Sequence, residues 1–104
     1  MSELKELINK AKQKDVKAME ELFLKFKPLL KSRAKRYSRY GLEYEDVFQQ
    51  GALIFILAVY DYQEKKNIPF AGYIKKRINW GLYLYNRRYL QQKVEISSGL
   101  NPHR

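Results

Sequence analysis

The sequence predicts an all-α fold, a compact helical domain of three main helices plus a short N-terminal one. Two observations carry that prediction. Apolar residues return at intervals of three and four along four separate stretches, the period of a helix face. Those stretches are bounded by residues that start or stop helices, among them Asp15, Gly41 and Pro69. With 104 residues, 45% of them hydrophobic, the chain has apolar surface for one folded domain and too little length for two.

The first helix spans residues 2–13, with Ser2 suited to cap it and Leu4, Leu7, Ile8 and Ala11 forming its core stripe. After the polar Lys12-Gln13-Lys14, Asp15 is placed to cap a second helix whose core face is Ala18, Met19, Leu22, Phe23 and Phe26. Pro28 falls inside this pattern. Proline removes a backbone donor and crowds the preceding turn, yet apolar spacing resumes at Leu29, Leu30 and Ala34, which favours a kink over a break. Tyr40-Gly41 marks the end, with Gly41 suited to the left-handed position after a helix.

The third helix covers 43–62, with Glu43, Glu45 and Asp46 favouring its positive N-terminal end. Val47, Gly51, Ile54, Ala58 and Tyr62 form its expected core stripe, and Gln49, Leu53, Ile56 and Tyr60 a second one. Apart from the two glutamines, this helix is apolar nearly all round from Val47 to Tyr60. A domain this small offers few elements to cover every side, so one face is expected to await a protein partner. The polar loop 61–68 leads to a last helix over 69–90, with Pro69 suited to its first turn. Phe70, Ile74, Ile78, Gly81, Leu82 and Tyr85 lie on one side of it. Tyr73, Lys76, Trp80, Tyr83 and Arg87 lie on another, a cationic stripe with aromatics between the charges and no acid. Residues 1–92 are read as the domain and 93–104 as a loose tail.

The formal charge is +10, which favours a polyanionic partner: DNA, RNA or an anionic membrane surface. From Lys25 to Arg39 there are seven cations and no acid, a pattern that suits a solvated helix face and nonspecific nucleic-acid binding equally. The stripe on the last helix adds flat rings for bases to ammonium and guanidinium groups for phosphates. A membrane-surface role is the weakest, because that helix reserves no continuous aliphatic face for lipid.

Catalysis is not expected. The chain has no cysteine, and its one histidine, His103, sits in the tail without a second to share a metal or a proton. Glu45 and Asp46 are explained by the helix start, and Glu20 and Glu21 by a solvated helix surface. There is no glycine-rich phosphate loop; no metal and no cofactor are expected. The start MSELKEL has no apolar signal core, and the longest apolar run, Ala52 to Tyr60, is too short to span a bilayer, so a cytoplasmic location is expected.

The run Glu45-Asp-Val-Phe-Gln-Gln-Gly, then Ala58-Val-Tyr-Asp-Tyr, then Pro69-Phe-Ala-Gly-Tyr-Ile, resembles region two of bacterial RNA polymerase sigma factors. That family shows an Asp-Leu-x-Gln-Glu-Gly helix, an Ala-x-x-x-Phe helix end, a polar turn, and a Phe-x-x-Tyr opening to a DNA-reading helix. The order and spacing match without a gap from Glu43 to Arg88. The resemblance implies an initiation module that docks on the clamp helices of the polymerase beta-prime subunit and binds and opens minus-ten promoter DNA, holding nontemplate-strand bases. The clamp positions map to Asp46, Gln49, Gln50, Leu53 and Ile56. The DNA positions map to Tyr73, as the stacking tyrosine, and to Trp80 and Tyr83 at the upstream edge of the element. The neighbouring cations Lys76, Arg77, Arg87 and Arg88 are expected to hold the backbone.

The departures are informative. Primary-type factors carry two tryptophans where this chain has Lys76 and Arg77, which the resemblance reads as an alternative, non-housekeeping type. Gln50 replaces a glutamate of the clamp motif, and Trp80 and Tyr83 are bulkier than the polar readers common there. Nothing after Leu90 forms a helix-turn-helix for the minus-thirty-five element, so an excised domain, a phage-type or mobile-element derivative, or a separate protein supplying that module are all compatible. Two other readings of the residues stand beside the resemblance. One is a polymerase-binding or other protein-interaction adaptor that never opens DNA; the other is a general basic nucleic-acid-binding helical protein.

Overall fold

The computed structural model describes residues 3–97. Four helices follow one another: α1 (Glu3–Lys12), α2 (Val16–Ser38), α3 (Tyr44–Asp61) and α4 (Phe70–Ser97). A single 3-10 turn, Glu64–Lys66, lies between α3 and α4. Three long helices and a short first one are thus present as expected, with no strand among the described residues. Ser2 lies outside them, as does His103.

The helix ends follow from local chemistry. α1 closes where the Lys14 amide donates to the Ala11 carbonyl and the Asp15 amide to the Lys10 carbonyl, with Lys14 at φ 70°. These two bonds satisfy carbonyls that a helix end leaves open. The Asp15 side chain then caps α2, accepting from the Ala18 amide at 3.1 Å. α2 continues unbroken through Pro28 to Ser38. Pro28 and Leu24, the residue whose carbonyl loses its N–H partner, are both exposed, so the gap in the hydrogen-bond ladder lies on the solvent side of the helix. Three successive amides, from Arg39, Tyr40 and Gly41, fold back on Arg36, Tyr37 and Ser38 carbonyls, and Gly41 takes φ 94°. Before α4, Asn67 adopts φ 55°, and the Pro69 carbonyl accepts from the Tyr73 amide. Pro69 therefore precedes the first helical residue rather than occupying it.

The core is a single cluster drawn from all four helices. Leu22, Leu30 and Ala34 of α2, Val47, Phe55, Ala58 and Val59 of α3, and Ile74, Ile78 and Leu82 of α4 are essentially inaccessible. Ile8 and Ala11 of α1 complete one end. A chain of ring contacts, Phe23 and Phe26 on Phe55, then Phe26 and Tyr62 on Phe70, binds the three long helices together. Contacts also fix direction. Phe26 meets Phe70, Arg33 meets Asn79, and Gly41 meets Tyr89, so α2 and α4 run parallel. Ala58 meets Tyr73 and Ile54 faces Gly81, so α3 runs antiparallel to α4.

Two expectations are corrected. The core stripe of α3 includes Phe55 and Val59, whereas Ile54 is only half-buried. On a helix apolar nearly all round, spacing alone does not fix which stripe turns inward. The last helix continues beyond Leu90 to Ser97, since no glycine or proline interrupts it before Gly99. The expected loose tail therefore begins inside α4, and its remainder, 98–104, lies outside the described residues.

Candidate nucleic-acid and polymerase interface

The face of α4 turned away from the core carries Lys76, Trp80, Tyr83 and Arg87, all exposed. Trp80 is 62% accessible and Tyr83 46%, unusually high for rings of that size. The two rings stack on each other, centroids 5.6 Å apart and planes 24° apart. Three residues of helix bring them together on one side, and among the described residues no neighbouring element covers them. Arg88 is also exposed, one position round the helix. From Phe70 to Gln92 there is no acid, so this surface is cationic with an aromatic centre.

Tyr73 and Arg77 are placed differently. Tyr73 is half-buried against Tyr62 and Phe70, and its hydroxyl donates to the Ala58 carbonyl at 2.6 Å. Arg77 donates to the same hydroxyl at 2.9 Å, lies over the Tyr73 ring with its guanidinium carbon 5.7 Å from the centroid, and pairs with Asp61 at 3.2 Å. Burial raises the Tyr73 hydroxyl above the ordinary tyrosine range, while Arg77 beside it acts the other way. These two candidates thus form a brace between α4 and the end of α3, apart from the stacked pair.

The opposite flank of α3 carries the other candidates. Asp46 and Gln49 are exposed and Gln50 half-buried. Leu53 is 51% accessible, with Leu57 and Tyr60 exposed beside it. Ile56 is half-buried and packs on the core, so it supports this surface from below. Ile56 and Tyr60 also wall an open groove of ≈ 510 Å³ between α3 and the first half of α2, lined across by Val16, Met19, Phe23 and Leu24. The exposure of Val16 and Leu24 escapes sequence reasoning, because each reads as an isolated apolar residue off the main stripe.

Arg33 is a further residue that sequence analysis leaves among the α2 cations. Its Nε donates to Asn79 Oδ1 at 2.6 Å, tying α2 to the helix that bears the ring pair. Among the described residues no group of three or more His, Cys, Asp or Glu is gathered to hold a metal, and no helix is long and apolar enough to cross a membrane.

The family model for sigma-70 region 2 matches residues 22–91, most of α2, all of α3 and the greater part of α4. The chain belongs to the sigma-70 region 2 family. Every candidate site residue falls within the matched span of this sigma region 2 chain. Membership gives it a sigma-factor-like role in transcription initiation, in a family that binds core RNA polymerase and promoter DNA and is not an enzyme family. No curated protein and no solved structure matches the chain.

Proposed function

We propose that this sigma region 2 domain docks on the clamp helices of core RNA polymerase through α3 and uses α4 to bind and open the minus-ten element. The observation that carries the proposal is the exposed Trp80–Tyr83 pair, set among cations with no acid near it in sequence. Opening a duplex loses base stacking, and an aromatic platform returns about 1–3 kcal/mol per base. Lys76, Arg87 and Arg88 are available to the phosphates of the same strand. Tyr73 and Arg77 brace this helix against the end of α3, and Tyr73 is assigned the stacking of a base. Docking falls to Asp46, Gln49, Gln50 and Leu53 on the other helix, with Ile56 holding their backbone in place. The separation of the two surfaces lets one chain hold polymerase and DNA at once.

The test has two arms. Gln49→Lys with Leu53→Lys places two cations on a surface that the core does not need, and retention of core polymerase in a pull-down should be lost. Lys76→Glu with Arg87→Glu should keep that retention and weaken binding of the polymerase complex to forked minus-ten DNA, by roughly tenfold or more with a shallower salt dependence. Wild-type protein that ignores polymerase, or a charge-reversed variant that binds forked DNA unchanged, would overturn the corresponding half of the proposal.

A further inference from the structure

We infer that α2 contributes to the nucleic-acid surface: its Arg33 and Arg36, with Lys75 of α4, form a phosphate track along the α2–α4 seam for the DNA strand whose bases lie on Trp80 and Tyr83. The inference rests on the reading of α4 given above and extends it to α2, whose cations the sequence alone leaves evenly between a solvated face and nonspecific nucleic-acid binding.

Three observations build the track. The first is register. α2 and α4 run parallel, and the Arg33–Asn79 bond at 2.6 Å pins them side by side at their middles. At helical spacing Arg36 and Tyr40 follow Arg33 on one stripe of α2, while Lys75 precedes and Tyr83 follows Asn79 on one stripe of α4. The seam is thus edged by Arg33, Arg36 and Tyr40 on one side and by Lys75, Tyr83 and Arg87 on the other. Tyr83 belongs both to this edge and to the stacked pair, so the cations of α2 lie beside the rings rather than on a remote face.

The second observation is charge. Residues 25–42 and 65–92 contain no acid, and the seam joins these two segments. Among the described residues the ion pairs are Lys5 with Glu64 and Arg77 with Asp61, and neither involves a residue of the seam. Among the described residues, no carboxylate therefore pairs with a cation of the seam. The third is preparation. Arg33 is half-buried and fixed through Nε to Asn79, with Nη1 near Ser32 Oγ at 3.4 Å. Fixing the guanidinium in advance reduces the side-chain entropy lost when it binds an anion. Arg36 and Lys75 are exposed and add charge on either side. Contacts of this kind position a backbone and do not read sequence.

The test compares four proteins on one fluorescent 20-nucleotide single-stranded DNA and on its scrambled version, by anisotropy across a salt series. They are wild type, Arg33→Gln/Arg36→Gln, Arg36→Gln alone, and Lys76→Gln/Arg87→Gln. The expected result is that the α2 pair weakens binding roughly five- to tenfold, equally on both sequences, and reduces the log–log salt slope by about 1.4, two single-strand phosphates. Arg36→Gln alone, which leaves the Arg33–Asn79 bond intact, should reduce the slope by about 0.7 and leave the melting curve unchanged. If the α4 pair weakens binding and neither α2 variant does, the seam is overturned while the α4 reading stands. If no variant changes binding, both fall. If only the α2 variants act, the track is not coupled to the rings and the inference in this form is overturned.

Discussion

The hydroxyl of Tyr73 donates to the Ala58 carbonyl and accepts from Arg77, so it closes a side-chain bridge between α4 and α3. In the sequence Tyr73 shares a stripe with Lys76 and Trp80, and nothing in that spacing shows that α3 stands against one edge of the stripe. The residue type was legible; its half-burial was not, because a helical wheel carries no information about the neighbouring helix. The same holds for Arg77, whose partner Asp61 is distant in sequence. The bridge has a measurable consequence. Burial raises the Tyr73 pKa above its unfolded value of about 10. An acid with a raised folded pKa binds its proton more tightly when folded. Its contribution to stability is therefore complete below the unfolded value and is lost as pH rises through the folded one. Tyr73→Phe should cost about 1 kcal/mol near neutral pH, through the lost hydrogen bonds. Above pH ~10 the wild type should lose stability faster than the variant, so the two urea midpoints should converge. A difference that stays constant or widens with pH would show that the hydroxyl does not hold its proton in this bridge.

At the level of helices, the register of α3 on α4 depends on Gly81. A Cβ added there would lie 2.5 Å from Ile54 Cδ1 and 3.0 Å from its Cγ1, well inside contact distance. Glycine in mid-helix costs about 1 kcal/mol relative to alanine, so its use here reflects the close approach of the two helices. Gly81→Ala should nevertheless destabilise the domain, since overpacking costs about 1–3 kcal/mol against that gain. Ile54→Val removes the nearest atom. The double variant should then be more stable than the sum of the single effects by about 1 kcal/mol, measured as a double-mutant cycle in urea. Simple additivity would mean that Ile54 is not what Gly81 accommodates. The helices themselves were largely legible, because Asp15, Gly41 and Pro69 act locally through caps, positive φ and a missing donor. What escaped reading was orientation. The inward turn of Phe55 and the outward turn of Leu53 and Leu57 are set by where α2 and α4 sit, and α3 is apolar on every side. For the candidate site, the exposed rings of α4 followed from cations sharing their stripe, whereas the place of Arg33 beside Asn79 required the parallel packing of α2 and α4.

Over the whole molecule, charge is unevenly spread, and this sets how the fold responds to salt. The formal charge is +10, with cations concentrated over 25–39 and 75–88, stretches that contain no acid. Self-repulsion of the cationic surface acts against the compact state. The opposing attraction is small: the ion pairs among the described residues, Lys5–Glu64 and Arg77–Asp61, are substantially exposed. Such pairs are worth about 0–1 kcal/mol each and weaken with salt. Raising ionic strength from about 0.1 M to about 1 M shortens the screening length from roughly 10 Å to roughly 3 Å. Repulsion spread over two neighbouring helices is relieved by this more than two exposed pairs lose. The melting temperature of the free domain should therefore rise with sodium chloride, by roughly 4–8 °C for each kcal/mol of repulsion relieved. Arg33→Gln/Arg36→Gln should melt with a smaller salt increment than wild type, because it removes two of the charges that repel. A melting temperature that falls with salt would mean that attraction outweighs repulsion. The acid-free seam would then not be the concentrated positive surface that both the α4 reading and the α2 track require.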